Sequence, residues 1–164
     1  ESAKEPFHHI HGVGEICWKS MQQWMHDDGL EITEHPALDV REYIYNMASV
    51  MRAADLVICR SGGSTVSELA VYGKFACLIP FPFAADGHQD DNARWLASAG
   101  GACVIADSDC SEEKFASLLR DWSLHRENYT ERGKASLRLA QPNAAGNVLD
   151  MIENILAVSQ TRPK

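Results

Sequence analysis

The stretch Asp55-Leu-Val-Ile-Cys-Arg-Ser-Gly-Gly-Ser-Thr-Val-Ser-Glu-Leu-Ala70 governs how the rest of this chain is read. Leu56 to Cys59 is a short, continuously apolar run, the pattern of a strand buried on both faces. Two glycines flanked by small hydroxyl residues then make a tight turn. The spacing predicts a helix over Thr65–Tyr72, closed by Gly73 in the C-cap position. Such a turn lets backbone N–H groups approach an anion closely, and the helix start adds roughly half a positive charge from its aligned peptide dipoles. A nucleoside diphosphate is the ligand type that commonly occupies this kind of corner.

Working outward, strand-like and helix-like runs alternate. Phe7–His11 reads as a strand ending at Gly12 and Gly14, and Glu15–His26 as a helix with Ile16, Met21, Trp24 and Met25 at helical spacing. Leu30–Thr33 reads as a strand stopped at Pro36, Val40–Met47 as a loop with room for one helical turn, and Ser49–Ala54 as a short helix. Beyond the glycine turn come a strand at Phe75–Ile79, a helix at Gln89–Ala99 and a strand at Ala102–Ile105. Glu112–Trp122 is predicted as a helix capped by Ser111, with Glu112 and Glu113 favourable in its first turn. Two further helical segments, 126–140 and 144–158, are separated at Pro142-Asn143. Apolar strands each followed by a helix predict an α/β fold, a Rossmann-like doubly wound parallel sheet covered on both faces, in a single domain over residues 1–164.

With 164 residues, 45% hydrophobic and 23% charged, the composition is that of an ordinary globular domain. A net charge of −8 offers no basic field for a nucleic-acid backbone, so nucleic acid is not an expected partner. A local anion site is still compatible with that charge, because backbone dipoles need no cationic side chain. No apolar run reaches the ~18 residues of a membrane span and no signal-peptide pattern opens the chain, which makes a cytoplasmic location the default. Cys17, Cys59, Cys77, Cys103 and Cys110 show no C-x-x-C spacing, and three of them sit in apolar strands, so they read as reduced structural thiols.

In doubly wound sheets ligands bind beyond the carboxyl ends of the strands. Three unusual clusters fall at such ends: Arg60-Ser-Gly-Gly-Ser-Thr65, Pro80 to Gln89, and Gly12-Val-Gly14. The glycine turn is neither G-x-G-x-x-G nor a Walker-type loop, since no lysine follows the glycines, which argues against nucleoside triphosphate hydrolysis and dinucleotide binding. Ser61, Gly62, Gly63, Ser64 and Thr65 are candidate anion ligands. Glu68 stands three residues after Thr65, a capping-box spacing, and is equally placed for ribose hydroxyls. Arg60 can meet a phosphate or form a surface ion pair. Asp86-Gly-His-Gln-Asp-Asp-Asn92 offers imidazole and amide groups suited to sugar hydroxyls, or reads as a solvated helix start. A metal at His88, Asp90 and Asp91 is disfavoured, because adjacent helix positions do not converge. His9 and His11 share one strand face, with no third ligand nearby to make a metal centre. Trp18, Trp24 and Trp122 read as core residues.

Tyr43-Ile44-Tyr-Asn-Met47, Ala54-Asp-Leu-Val-Ile-Cys-Arg-Ser-Gly62, Thr65-Val-Ser-Glu-Leu-Ala70, Pro80-Phe-Pro82, His88-Gln89 and Asn92-Ala93, in that order and spacing, resemble the MurG family. The match spans residues 40–105 and continues more weakly to Pro142. The resemblance implies the C-terminal half of a GT-B glycosyltransferase, the half that binds the donor UDP-N-acetylglucosamine. It implies that Ile44 contacts uracil through its backbone, that Ser64 and Thr65 cradle the diphosphate, that Glu68 binds the ribose, and that His88 and Gln89 hold the sugar. His88 occupies a place where the family also uses glutamine.

The implied reaction is inverting transfer to a lipid-linked muramyl pentapeptide, at the cytoplasmic face of the membrane in the whole enzyme. No cofactor or metal is implied, in keeping with the lack of a D-x-D motif. The family's N-terminal acceptor domain, with the catalytic base, has no counterpart in these residues. The chain is therefore expected to be a fragment or split subunit, inactive in transfer by itself and partnered by that domain. Two other readings are a donor subunit of a split transferase acting on another polyprenyl-linked sugar, and a non-catalytic nucleotide-sugar-binding module.

Overall fold

The computed structural model describes residues 7–29 and 37–160 and divides at Val50/Met51 into two compact units. In the first, strand β1 (His9–Gly12) pairs in parallel with β2 (Leu38–Arg41), in the register His9↔Leu38 to Gly12↔Arg41. Helix α1 (Glu15–Asp27) connects to them. The expected strand Leu30–Thr33 lies outside the described residues. Residues 38–41, whose second half was expected to be loop, form β2 instead. Its alternating Leu-Asp-Val-Arg pattern is weakly apolar, and the strand exists because β1 supplies its hydrogen bonds. Asp39 and Arg41 then share one face and pair at 2.6 Å, which holds the Asp39 carboxyl below its usual range.

Helix α1 buries Met25 and partly buries Trp18 and Met21, an i, i+3, i+7 stripe. Trp24 is 62% exposed and Ile16 97% exposed, so the expectation of a core Trp24 is corrected. Both lie off the buried stripe, a choice that four closely spaced apolar positions could not settle.

The second unit begins at Met51, within α2 (Met47–Ala53), and carries β3 (Val57–Cys59), β4 (Ala76–Leu78) and β5 (Ala102–Val104), parallel and in that order. Their helices are α3 (Gly63–Tyr72), α4 (His88–Ser98), α5 (Glu112–Leu124), α6 (Arg126–Ala135) and α7 (Ala144–Gln160). The strand period of two sorts the core into two layers. Val57, Cys59, Ala76, Leu78 and Ala102 pack with Met51, Val66, Leu69, Ala70, Ala93 and Leu96, which come from α2, α3 and α4. Leu56, Phe75 and Cys103 pack on the other side with Leu118, Trp122 and Tyr129 from α5 and α6. Every residue of the central β4 is buried, whereas Ile58 of β3 and Val104 of β5 are exposed. The expectation of strands buried on both faces thus holds for β4 and is corrected for the two outer strands, which lack a neighbour on one side in this sheet.

Several local expectations hold. Gly73 closes α3 at φ 60, its N–H and that of Lys74 reaching Ala70 and Leu69 carbonyls. The Oγ of Ser111 accepts the Lys114 N–H at 3.3 Å and caps α5. Trp122 is buried. Cys59, Cys77 and Cys103 lie in strands, and burial pushes the Cys59 thiol up to about 11. Tyr129 fixes α6 to the sheet: its ring meets Phe75 edge-on at 4.7 Å and its hydroxyl donates to Asp121 at 2.5 Å. Among the described residues no helix is long and apolar enough to cross a membrane. Along α7, Val148, Leu149, Met151, Ile152, Ile155 and Leu156 are all about half exposed or more.

Candidate functional site

The residues singled out in the second unit lie where β3, β4 and β5 end. Beyond β3, Arg60 and Ser61 lead into Gly62, the N-cap of α3. The helix begins at Gly63, two residues earlier than its periodicity predicts. This corrects the capping-box alternative: Thr65 sits in the first turn, and Glu68 lies in the second, where it is solvent-exposed. No side chain caps α3, and its first intrahelical acceptor, the Gly62 carbonyl, takes the Val66 N–H. The amides of Gly63, Ser64 and Thr65 therefore precede the helix's own acceptors and point out of its positive end.

Neither glycine is demanded by the fold. Gly62 has an ordinary extended backbone (φ −62, ψ 149), and Gly63 is helical. A Cβ at Gly62 would lie 3.7 Å from Thr65 Oγ1, and one at Gly63 would lie 3.9 Å from Asn92 Nδ2, both normal contacts. The protein itself has room for side chains here and carries none. That is the property of a surface approached closely by something else.

Three hydrogen bonds hold this corner. Ser61 is fully buried and its Oγ donates to the Gln89 carbonyl at 2.8 Å, so its hydroxyl serves the fold. Asn92 Nδ2 donates to the Ser61 carbonyl at 3.0 Å. Gln89 Oε1 accepts the Phe81 N–H at 3.0 Å, which leaves Nε2 as the donor of that side chain. In sequence Asn92 belongs to the polar cluster Asp86–Asn92 and the motif Asn92-Ala93, neither of which shows this bond to Ser61. It stands three residues after Gln89, on the same face of α4.

The segment between β4 and α4 turns through two consecutive left-handed residues, Asp86 (φ 51) and Gly87 (φ 66). His88 Nδ1 lies 2.6 Å from the Ala85 carbonyl. A carbonyl only accepts, so Nδ1 carries a proton in this contact, and in that tautomer Nε2 is the acceptor. Asp91 pairs with Arg94 at 2.8 Å. Of the two readings of Arg60, the ion pair is the arrangement present: its Nη1 is 2.6 Å from Asp107 Oδ1.

Ile44 and Gly12-Val13-Gly14 belong to the first unit. The Ile44 side chain is buried, its Cδ1 only 3.0 Å from where a Gly12 Cβ would stand. What Ile44 can offer a ligand is therefore its main chain. His9 and His11 stack at 5.5 Å on one strand face; burial lowers the His9 pKa, and the neighbouring His11 and His8 lower it further. Among the described residues no group of three His, Cys, Asp or Glu side chains is arranged to hold a metal ion.

A parallel α/β sheet with a bare helix start and a polar loop beyond its strand ends defines the Rossmann-like class, whose ligands sit at that edge. The chain belongs more specifically to the glycosyltransferase family 28 C-terminal domain, whose family model matches residues 1–148. It is 34% identical over 151 residues to a UDP-N-acetylglucosamine–N-acetylmuramyl-(pentapeptide) pyrophosphoryl-undecaprenol N-acetylglucosamine transferase of Desulforamulus reducens, covering 92% of this chain and 41% of that protein. It is 44% identical over 115 residues to the enzyme of the same name from Thiobacillus denitrificans, covering 70% and 31%. The fold matches the crystal structure of MurG from Acinetobacter baumannii with a TM-score of 0.77 at 31% identity, over 92% of this chain and 42% of that one. A glycotransferase of kitacinnamycin, at 17% identity and a TM-score of 0.60 over 91% of this chain and 36% of its own, shares the fold. The chain thus spans about two fifths of the first of these relatives and about a third of the second.

Proposed function

We propose that this chain is the UDP-N-acetylglucosamine-binding part of an inverting hexosyltransferase that passes N-acetylglucosamine to an undecaprenyl-pyrophosphoryl muramyl pentapeptide in peptidoglycan synthesis. The observation that carries the reading is the start of α3: three amides without intrahelical acceptors, and two glycines that the fold does not require. Those amides, with the hydroxyls of Ser64 and Thr65, receive the diphosphate. Glu68, one turn further along α3, accepts from the ribose hydroxyls. The main chain of Ile44 reads uracil. His88 Nε2 and Gln89 Nε2 supply one acceptor and one donor for the sugar. The relatives' names agree with this donor and with a lipid-linked acceptor.

The acceptor hydroxyl attacks the anomeric carbon, and the bond to the diphosphate oxygen breaks with inversion. The negative charge that develops on departing UDP falls at the positive end of α3, where preorganised amides stabilise it without reorganising. That is this chain's share of the rate. The base that takes the acceptor's proton, and the contacts to the lipid-linked acceptor, are assigned to an N-terminal acceptor domain or subunit. The whole enzyme accordingly works at the surface of the cytoplasmic membrane.

Titration calorimetry with UDP, UDP-N-acetylglucosamine and ADP tests the reading. Binding of the two uridine nucleotides in preference to ADP is expected. Equal binding of all three, or of none, overturns the assignment.

A further inference from the structure

Arg60 stands directly before the glycine turn, and one end of its guanidinium, Nη1, is already engaged. Nη1 sits 2.6 Å from Asp107 Oδ1, 3.3 Å from the Ile79 carbonyl and 3.2 Å from the Pro80 carbonyl. The guanidinium also lies over the Phe81 ring, 5.6 Å from its centroid. One side chain at the end of β3 therefore grips the segment leaving β4 and the 3-10 turn Asp107–Asp109 beyond β5.

The next residue grips the other end of the same segment. Ser61 Oγ holds the Gln89 carbonyl at the start of α4. Residues 80–88 thus form a loop clamped at both ends by two consecutive residues, with a bridge across its base where the Phe81 N–H donates to Gln89 Oε1. That bridge decides where the Gln89 amide points. Arg60 fixes the main chain at Ile79 and Pro80 and the ring of Phe81, so it fixes the Phe81 N–H that orients Gln89.

We propose that Arg60, through its pair with Asp107, is a positioning residue that sets the specificity for the sugar of the donor and does not itself bind the diphosphate. This rests on the donor site proposed above, in which Gln89 meets the sugar. Nη1 is committed to the Asp107 carboxylate and two carbonyls, which ties the guanidinium to the loop rather than to the glycine turn. A positioning residue leaves all three in place and acts one hydrogen bond away from the ligand.

The two roles separate by comparing UDP with UDP-N-acetylglucosamine. In Arg60→Ala the affinity for UDP-N-acetylglucosamine is expected to fall ~10-fold, the size of one well-made hydrogen bond to a ligand lost, while affinity for UDP changes less than ~2-fold. Arg60→Lys, which keeps the charge for Asp107 but not the planar stack on Phe81, should recover part of the loss. Asp107→Asn should give a smaller loss in the same direction; the pair is half exposed, so this variant keeps its fold and serves if Arg60→Ala does not. In a Gln89→Ala background, removing Arg60 should have no further effect on sugar-nucleotide affinity, because the group it orients is gone. An equal loss for UDP and UDP-N-acetylglucosamine would make Arg60 a phosphate ligand and overturn the proposal. Unchanged affinities in Arg60→Ala, or additive losses in the double variant, would overturn it as well. Failure of the unsubstituted chain to bind UDP is a separate outcome, which overturns the donor site itself.

Discussion

Replacing Gly63 by alanine separates binding from folding. The residue opens α3, has helical backbone and is exposed, and the nearest atom to a new Cβ is Asn92 Nδ2 at 3.9 Å. Nothing in the protein resists the methyl group. Alanine restricts the unfolded chain and suits a helix, so the substitution should stabilise by about 0.5–1 kcal/mol and raise Tm by ~1–4 °C. The same methyl enters the gap between the glycine turn and α4, beside the amides of Gly63, Ser64 and Thr65. Holding the diphosphate away from one of those amides forfeits a charge-assisted hydrogen bond of about 1.5–3 kcal/mol, or ~10- to 150-fold in UDP affinity. Differential scanning fluorimetry reads the first quantity and calorimetry the second. A variant that melts higher and binds UDP as tightly as before would refute the reasoning, since the space beside Gly63 would then hold no ligand. A variant that loses stability would show instead that the glycine is needed by the fold.

Glu68→Ala should weaken UDP binding by about 1–3 kcal/mol with no loss of stability, because the carboxylate lies beyond the first turn of α3 and caps nothing; reduced stability at unchanged affinity contradicts its ribose role. Gly133→Ala would place a Cβ 2.6 Å from the Gly73 carbonyl oxygen and 2.6 Å from the Phe75 amide, both main-chain atoms that cannot step aside, so chemical denaturation should show a loss of about 3 kcal/mol or more. The His9 pKa is held below 6.5 in the folded chain, so the unfolded chain binds the extra proton first. Stability that depends on neutral His9 is complete above pH 6.5 and is lost as pH falls through the lower folded value; Trp18 and Trp24 fluorescence across an acid titration should show His9→Gln to be less pH-sensitive.

Much of this architecture is local information. The strand within Leu56–Cys59, the C-cap at Gly73 and the N-cap at Ser111 each depend on a few adjacent residues and form where those residues predict. By contrast, α3 leaves the glycine turn two residues early and Ile58 is exposed. Gln89 and Asn92 stand three apart, and that spacing alone places them on one face of α4. The errors have a different origin. Residues 38–41 are a strand only because β1 lies alongside, and Trp24 is exposed only because Trp18, Met21 and Met25 cover the buried face of α1. Local propensity is silent on both, since each outcome is set by what packs opposite.

From the order of its residues alone, this protein is determined to be a parallel α/β chain with a glycine turn leading from β3 into α3, because strand pattern and turn chemistry are properties of short segments. Tertiary structure decided that α3 starts at Gly62 and Gly63 with no side-chain cap, that Glu68 is free of capping duty, and that Arg60 answers to Asp107. Those three facts turn on hydrogen-bonding groups and charges that meet only after β3, β4 and β5 have been laid side by side. Long-range proximity, not residue type, assigns each polar group its partner.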